Sequence, residues 1–268
     1  MRSAIIGSVI GAVGALVVSS ARAGEPDVLP AAPPSDPPVA PRSWVYLDDP
    51  TTPAPWHVTA FTRMTATGFS GTPTRPFGAD VAHPGSIMEV GGELGLVRSL
   101  SIAATGYSSS LAGDAGAFGT MVGLRFAPLA PTSATHLVMS GGFLREVSGG
   151  NGAWGRVSLA QDVGRARFGA TVHGEHVFLR GRDGVDVTAM AGASYAIAGP
   201  LRGGVEYVAQ DLEGAAGDEA EGGVRHFVGP TASVELLGRR LTLNGGPAFG
   251  LSKGSPPVLG RVALAYAF

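Results

Sequence analysis

The sequence predicts an all-β fold, a transmembrane antiparallel up-and-down β-barrel of about twelve strands. Three observations predict it. From Trp56 onward one strand-length segment follows another, with apolar residues alternating against small or charged ones, as side chains do on the two faces of a strand. The connections alternate between short turns and longer, more acidic stretches. Finally, the segment count is even, which returns the C-terminus to the rim where the chain came in.

Taken in order, the chain opens with Arg2, an apolar run from Ile5 to Val18, and Ala21-Arg22-Ala23 before Gly24. A positive start, a short greasy core and an A-x-A site make residues 1–23 a secretory signal peptide, with the mature chain expected to begin at Gly24. An uncleaved anchor is the competing reading. Residues 24–55 hold ten of the 20 prolines in the chain. Proline lacks a backbone donor and favours extended polyproline II, so this stretch is expected to be a Pro-rich periplasmic tether. Within it, Trp44-Val45-Tyr46-Leu47 has the composition to dock, and folding back into a pore is the alternative to an idle linker.

The barrel domain is expected over 56–268. Strands are predicted near 56–67, 86–97, 99–108, 118–127, 135–147, 153–163, 166–179, 185–198, 201–211, 224–237, 240–251 and 258–268. Each approaches the 9 to 11 residues that a tilted strand needs to cross a bilayer, whereas no run of about 18 apolar residues follows the N-terminus. Met88, Val90, Leu94 and Leu96 show the alternation well, against Glu89, Gly91, Glu93 and Gly95. Other segments, such as 240–251, are so rich in Gly and Ala that it is faint. Pro230 and Pro247 fall inside expected strands, where a missing donor belongs at a bulge or a strand end.

Short turns fall at Arg98-Ser99, Gly164-Arg165, Gly199-Pro200 and Gly238-Arg239, with Ala127 to Ala134 the longer exception, and Arg98, Arg165, Arg167, Arg202, Arg239 and Arg240 lie at or near that set. The longer connections, near 69–85, 109–117, 148–152, 180–184, 212–223 and 252–257, have Asp80, Asp114, Asp183, Asp211, Glu213, Asp218, Glu219 and Glu221 in or beside them. Short turns on one rim and longer loops on the other are the habit of a transmembrane barrel.

If the apolar parity faces lipid, the opposite parity lines the lumen. It carries Arg63, Glu89, Glu93, Arg125, Arg156, Asp162, Arg167, His173, Glu175, Asp186, Arg202, Glu206, Arg225, Glu235 and Arg261. An Arg or Lys facing lipid at mid-bilayer costs about 2–4 kcal/mol, so this sorting supports the parity. Both signs are present, and they either pair to fill a narrow barrel or set the field of a small pore.

The last strand, 258–268, ends on an aromatic, with Val262, Leu264, Tyr266 and Phe268 on its greasy face. Such an ending, with the alternating strands before it, resembles single-chain Gram-negative outer-membrane β-barrels across about residues 56–268. The resemblance implies an outer-membrane location, outer-membrane lipid as surroundings, and recognition of Val262, Leu264, Tyr266 and Phe268 by the β-barrel assembly machinery as an assembly signal. It implies a small passive channel or transporter for ions or small hydrophilic solutes, with a non-conducting structural or adhesive barrel as the alternative and a membrane-embedded lipid hydrolase as a third reading. A soluble β-sandwich is the rival fold.

Several chemistries find no support. A net charge of -2 without clustered Lys and Arg gives no nucleic-acid footprint, and zero Cys excludes disulfides and a Cys nucleophile. Gly150-Asn151-Gly152-Ala153-Trp154-Gly155 fits G-x-G-x-x-G but runs into a strand, which makes it a hairpin loop and no dinucleotide site. In His173-Gly174-Glu175-His176, alternation puts His173 and Glu175 on one face and His176 on the other, so no metal set converges. His136 and Ser140 share a face about 13 Å apart, too far for a hydrogen bond. No catalytic, metal or cofactor site is expected, and the chain is read as a non-enzyme.

Overall fold

Alternation becomes architecture because every strand has one face it can give to lipid and one it can turn inward. The structure, a computed structural model, describes residues 44–67, 85–111, 118–146, 150–178, 185–212, 224–253 and 255–268. The expected signal peptide and most of the acidic connections lie outside the described residues. Twelve strands run in chain order: β1 (Val58–Thr67), β2 (Gly85–Val97), β3 (Leu100–Leu111), β4 (Phe118–Phe126), β5 (Thr135–Arg145), β6 (Asn151–Val163), β7 (Ala166–Val177), β8 (Asp186–Ala198), β9 (Leu201–Gln210), β10 (Arg225–Leu236), β11 (Leu241–Gly250) and β12 (Val258–Ala267). Each pairs antiparallel with its sequence neighbours, and β1 closes on β12 to complete a barrel. Closure leaves no edge strand, and with it no row of unpaired backbone groups.

The closing register pairs Thr59 with Ala267 and Thr67 with Leu259, and the amide of Phe268 donates to the carbonyl of Val58. Both ends of the barrel therefore meet on the rim of short turns. At Gly164 and Gly199 φ is positive, 59° and 50°, the geometry a glycine at the first central position of a two-residue hairpin supplies.

Polarity is inverted relative to a soluble protein. Met64, Val90, Val122, Leu124, Val157, Val205, Val262 and Leu264 are exposed on the outside, while Ser101, Arg125, Arg156, Arg167, Thr171, Glu206, Thr242 and Arg261 are buried within. Aromatics mark two levels of the outer face. Trp56, Phe126, Phe168, Tyr195 and Phe268 are exposed near the short turns; Phe143, Phe178, Tyr207 and Phe249 are exposed near the long connections. Phe168 and Phe178 are ten residues apart along one strand line. At about 3.3 Å per residue and about 40° of tilt that spans roughly 25 Å, the height of an apolar band in such barrels.

The two prolines lie inside their strands, away from any end. Pro230 is centred between Val228↔Phe249 and Ala232↔Gly245, which places it opposite Pro247, and the β10–β11 pairing lapses there. Each proline turns its missing donor toward the other, and both keep their pairing on the far side, with Val205 and Gly260. One gap in one ladder thus absorbs both absent donors.

Candidate functional site

The lumen is where the charged residues collect, and it is occupied by the chain itself. Residues 44–50, in the stretch read as a tether, are all buried. They run through the barrel interior before Trp56 and His57 hand over to β1, with the amide of Trp56 bonded to the carbonyl of Gly95. Residues 24–43 of that stretch lie outside the described residues.

The wall has a matching hollow. Gly169 on β7 pairs with Gly192 on β8, both facing inward. A Cβ on Gly169 would sit 3.0 Å from Leu47 and 3.1 Å from Trp44, and one on Gly192 would sit 3.1 Å from Trp44 and 3.2 Å from Leu47. The absent side chains leave the space that Trp44 and Leu47 fill. Trp44 to Leu47 then pack with Met190, Val208, Phe227, Ala248 and Leu259 into one apolar cluster.

Glu206 on β9 fixes the backbone. Its carboxylate accepts from the amides of Val45 (2.8 Å), Tyr46 (2.7 Å) and Leu47 (3.0 Å). A carboxylate is well suited to this, because charge-assisted bonds are short and about twice as strong as neutral ones. The Tyr46 hydroxyl reaches the carbonyls of Gly246 (2.8 Å) and Leu259 (2.9 Å), and Gly246 lies in the stretch where β10–β11 pairing lapses. Arg261 on β12 stacks over the Tyr46 ring, donates to Thr65 at 2.8 Å and reaches the Val45 carbonyl at 3.4 Å.

Two aspartates follow. Asp48 meets Arg125 at 2.8 Å, Arg156 at 3.3 Å and the Ser158 hydroxyl at 3.3 Å. Asp49 meets Arg167 at 3.3 Å, while Arg125 also donates to the carbonyls of Asp49 and Thr51. Burial pushes the Asp48 carboxyl up, but Arg125 and then Arg156 outweigh it and hold it at about 2. For Asp49 burial wins: Arg167 offsets it only in part, Asp48 adds repulsion, and the carboxyl lies above its usual range.

The wall charges also pair among themselves. Arg125 meets Glu93 at 3.1 Å, Arg63 meets Glu89 at 3.7 Å, Arg167 meets Asp162 at 3.6 Å and Arg225 meets Asp211 at 3.2 Å. His173 bonds Glu175 at 3.2 Å, and Arg156 reaches the His173 ring at 3.4 Å while covering Trp154. Arg202 donates to Ser194, and Glu235 receives Arg239 near the short-turn rim. Val262, Leu264 and Phe268 are exposed on the outer face, and Tyr266 stacks edge-on with Phe268. His176 lies on the opposite face from His173, against Phe178.

Sequence reasoning placed the wall charges on one parity and gave docking of Trp44-Val45-Tyr46-Leu47 in a pore as the alternative to an idle linker, but missed Asp48 and Asp49 as partners of the wall arginines. The findable signal was Trp44-Val45-Tyr46-Leu47-Asp48-Asp49, an apolar run and an acidic pair inside a proline-rich stretch. Between the segment and the walls of β1–β4, β6, β11 and β12 a cavity of about 90 Å³ remains, bordered by Asp48, Arg63, Glu89, Arg125, Arg156 and Phe61. At roughly 10–15 Å³ per water centre it has room for several waters.

No family model matches the chain, and no curated protein matches it by sequence. Solved structures do. The chain is similar to the KdgM porin, with a TM-score of 0.53 at 9% identity, covering 78% of this chain and 99% of that one. It is similar as well to the COG4313 outer membrane channel from Pseudomonas putida F1, with a TM-score of 0.53 at 10% identity and coverage of 81% and 97%. Identities this low speak to the fold alone. The chain is a closed twelve-stranded antiparallel β-barrel with the fold of known outer-membrane porins.

Proposed function

We propose that the chain is an outer-membrane channel for ions and small hydrophilic solutes, exported through its N-terminal signal peptide and inserted by the β-barrel assembly machinery through the Val262–Phe268 face. The observation that carries this reading is the inverted polarity: an apolar exterior between two aromatic levels, around an interior of paired Arg, Glu and Asp. A soluble barrel has no reason to bury arginines and expose valines. The mechanism is diffusion along the water-bearing side of the lumen, where Arg63, Glu89, Glu93, Arg125 and Arg156 set the local field. Arg202, Glu206, Arg225, Glu235 and Arg261 complete the proposed lumen lining, with Asp162, Arg167, His173 and Glu175. The acidic long connections bias the mouth toward cations.

A second reading is favoured by one observation: residues 44–50 fill much of the interior, as a non-conducting structural or adhesive barrel would require. Planar-bilayer conductance of the refolded, detergent-purified protein separates the two. Discrete steps support the channel; none at any voltage, and none after residues 24–55 are removed from a barrel that still shows a heat-modifiable band, overturns it. Substituting Arg156 and Glu175 with Ala is expected to change ion selectivity, and unchanged selectivity removes them from the conducting path.

A further inference from the structure

Each arginine that receives Asp48 or Asp49 also has a partner on the barrel wall. Arg125 is held by Glu93, Arg167 by Asp162, and Arg156 by His173 and the face of Trp154. All three are buried, on β4, β6 and β7, and converge on two carboxylates of adjacent residues. Ser158 adds a hydroxyl to the Asp48 end, itself bonded to Thr171. The cavity of about 90 Å³ reaches Asp48, Asp49, Arg125 and Arg156, so the Arg125 and Arg156 side of these ion pairs borders open space.

We propose that Arg125, Arg156 and Arg167 form a binding site for small dicarboxylates, which Asp48 and Asp49 occupy as a tethered competitor that a free dicarboxylate displaces. Guanidinium groups fixed by wall partners are preorganised for carboxylates, and preorganisation is what turns a charge cluster into a site. Two features suit the segment to leaving. Asp49 is bound at a loss, since burial of its charge outweighs what Arg167 returns. The rings and methyls of Trp44 and Leu47 rest against the glycine wall at Gly169 and Gly192, beside the Glu206 side chain. A solute bearing two carboxylates matches what the arginines hold now, whereas a monocarboxylate replaces only half of it. Because ligand and segment contest one site, each weakens the other by the same factor.

The channel reading is not needed for this inference, and the test does not use conductance. In the full chain, the amides of residues 45–47 are bonded to Glu206, so their hydrogen exchange reports the seated segment directly. Glutarate is expected to speed exchange at those amides by roughly fivefold or more, the lower end of ordinary coupling between ligands, while acetate at equal ionic strength does not. The chain has no Cys, so Val45→Cys gives a second readout in maleimide labelling, which glutarate accelerates and acetate leaves alone. Arg156→Gln with Arg167→Gln, checked for a heat-modifiable band, is expected to abolish the response to glutarate. Equal exchange with glutarate and acetate, or an unchanged response in the arginine variant, overturns the proposal. Conductance without a glutarate response overturns this inference alone, and a glutarate response with no conductance, even from the barrel lacking residues 24–55, overturns the channel alone.

Discussion

The two sides of the lumen are filled by different means. On the β2–β7 side the wall supplies its own bulk: Ile87, Tyr107, Met121, Leu144, Trp154 and Val177 form an apolar cluster, with Tyr107 bonded to the Arg145 carbonyl and Trp154 to that of Phe143. On the β8–β12 side the inward residues are small at mid-strand, as with Gly192, Gly204, Thr242, Asn244, Gly246, Ala263 and Ala265. There the bulk is lent by Trp44, Val45, Tyr46 and Leu47. Interiors tolerate few voids larger than water, so a wall of small residues requires an occupant. The contrast teaches that a barrel interior can be filled in two ways, by its own wall or by a segment that precedes the first strand.

The largest expected effect comes from removing that loan. Replacing Trp44, Tyr46 and Leu47 together with Ser strips three large buried side chains, each worth about 2–5 kcal/mol to the packing they join. Conductance in planar bilayers is expected to rise many-fold while the heat-modifiable band persists. Unchanged conductance would mean the β8–β12 side is closed by something other than the segment, and the comparison would fail.

The wall's own side is expected to answer differently. Trp154→Ala lowers barrel stability by about 3–5 kcal/mol and Leu144→Ala by about 2–5 kcal/mol, measured as the temperature at which the compact band converts. Neither residue belongs to the cluster around Trp44, so exchange at the amides of residues 45–47 is expected to stay slow. Fast exchange in these variants would show that the two sides act as one packing unit.

How legible this was follows the same division. The strand ends fell within a few residues of the observed ones, because alternation and hairpin turns are local properties that each strand displays for itself. The faint strands were faint for a structural reason. In 240–251 the inward parity reads Thr242, Asn244, Gly246, Ala248 and Gly250, small because the filling side chains come from almost 200 residues earlier. Parity also gathered Arg125, Arg156 and Arg167 on the inner face, yet their partners Asp48 and Asp49 lie outside any strand, beyond the reach of a periodic pattern. The opposed pair of Pro230 and Pro247 needed the register, which no single strand reveals.

Filling the hollow from the wall sharpens the comparison further. Gly192→Leu places a side chain where Glu206, Trp44 and Leu47 now lie, 2.9, 3.1 and 3.2 Å from the position of a Cβ. Overpacking of this kind costs about 1–3 kcal/mol when nothing moves. Here the segment can move, so Trp44 is expected to leave, seen as a red shift in its fluorescence once a Trp44→Phe control is subtracted. A Trp44 signal that stays blue, with a lower conversion temperature, would show the segment is as fixed as the wall.

The smallest effect separates two neighbouring aspartates. Asp48 is held at about 2 against an ordinary 3.8, which corresponds to about 2 kcal/mol in favour of the seated segment. That contribution is complete above the ordinary value and disappears as pH falls from about 4 toward about 2. Asp49 has the opposite sign: its raised carboxyl means that its charge opposes seating, and protonation relieves the opposition. Proton uptake by the raised carboxyl of Asp49 is therefore expected to tighten the segment, whereas below about 4 the loss of charge on Asp48 loosens it. Asp49→Asn removes the first phase and seats as well as the native chain or better, while Asp48→Asn removes the second and loosens the segment at neutral pH, although Arg125 keeps Glu93. Trp44 fluorescence followed from pH 7 to pH 2 checks both signs. If the two variants behave alike, the receptor does not distinguish the carboxylates, and the segment is held by Glu206 and the apolar hollow alone.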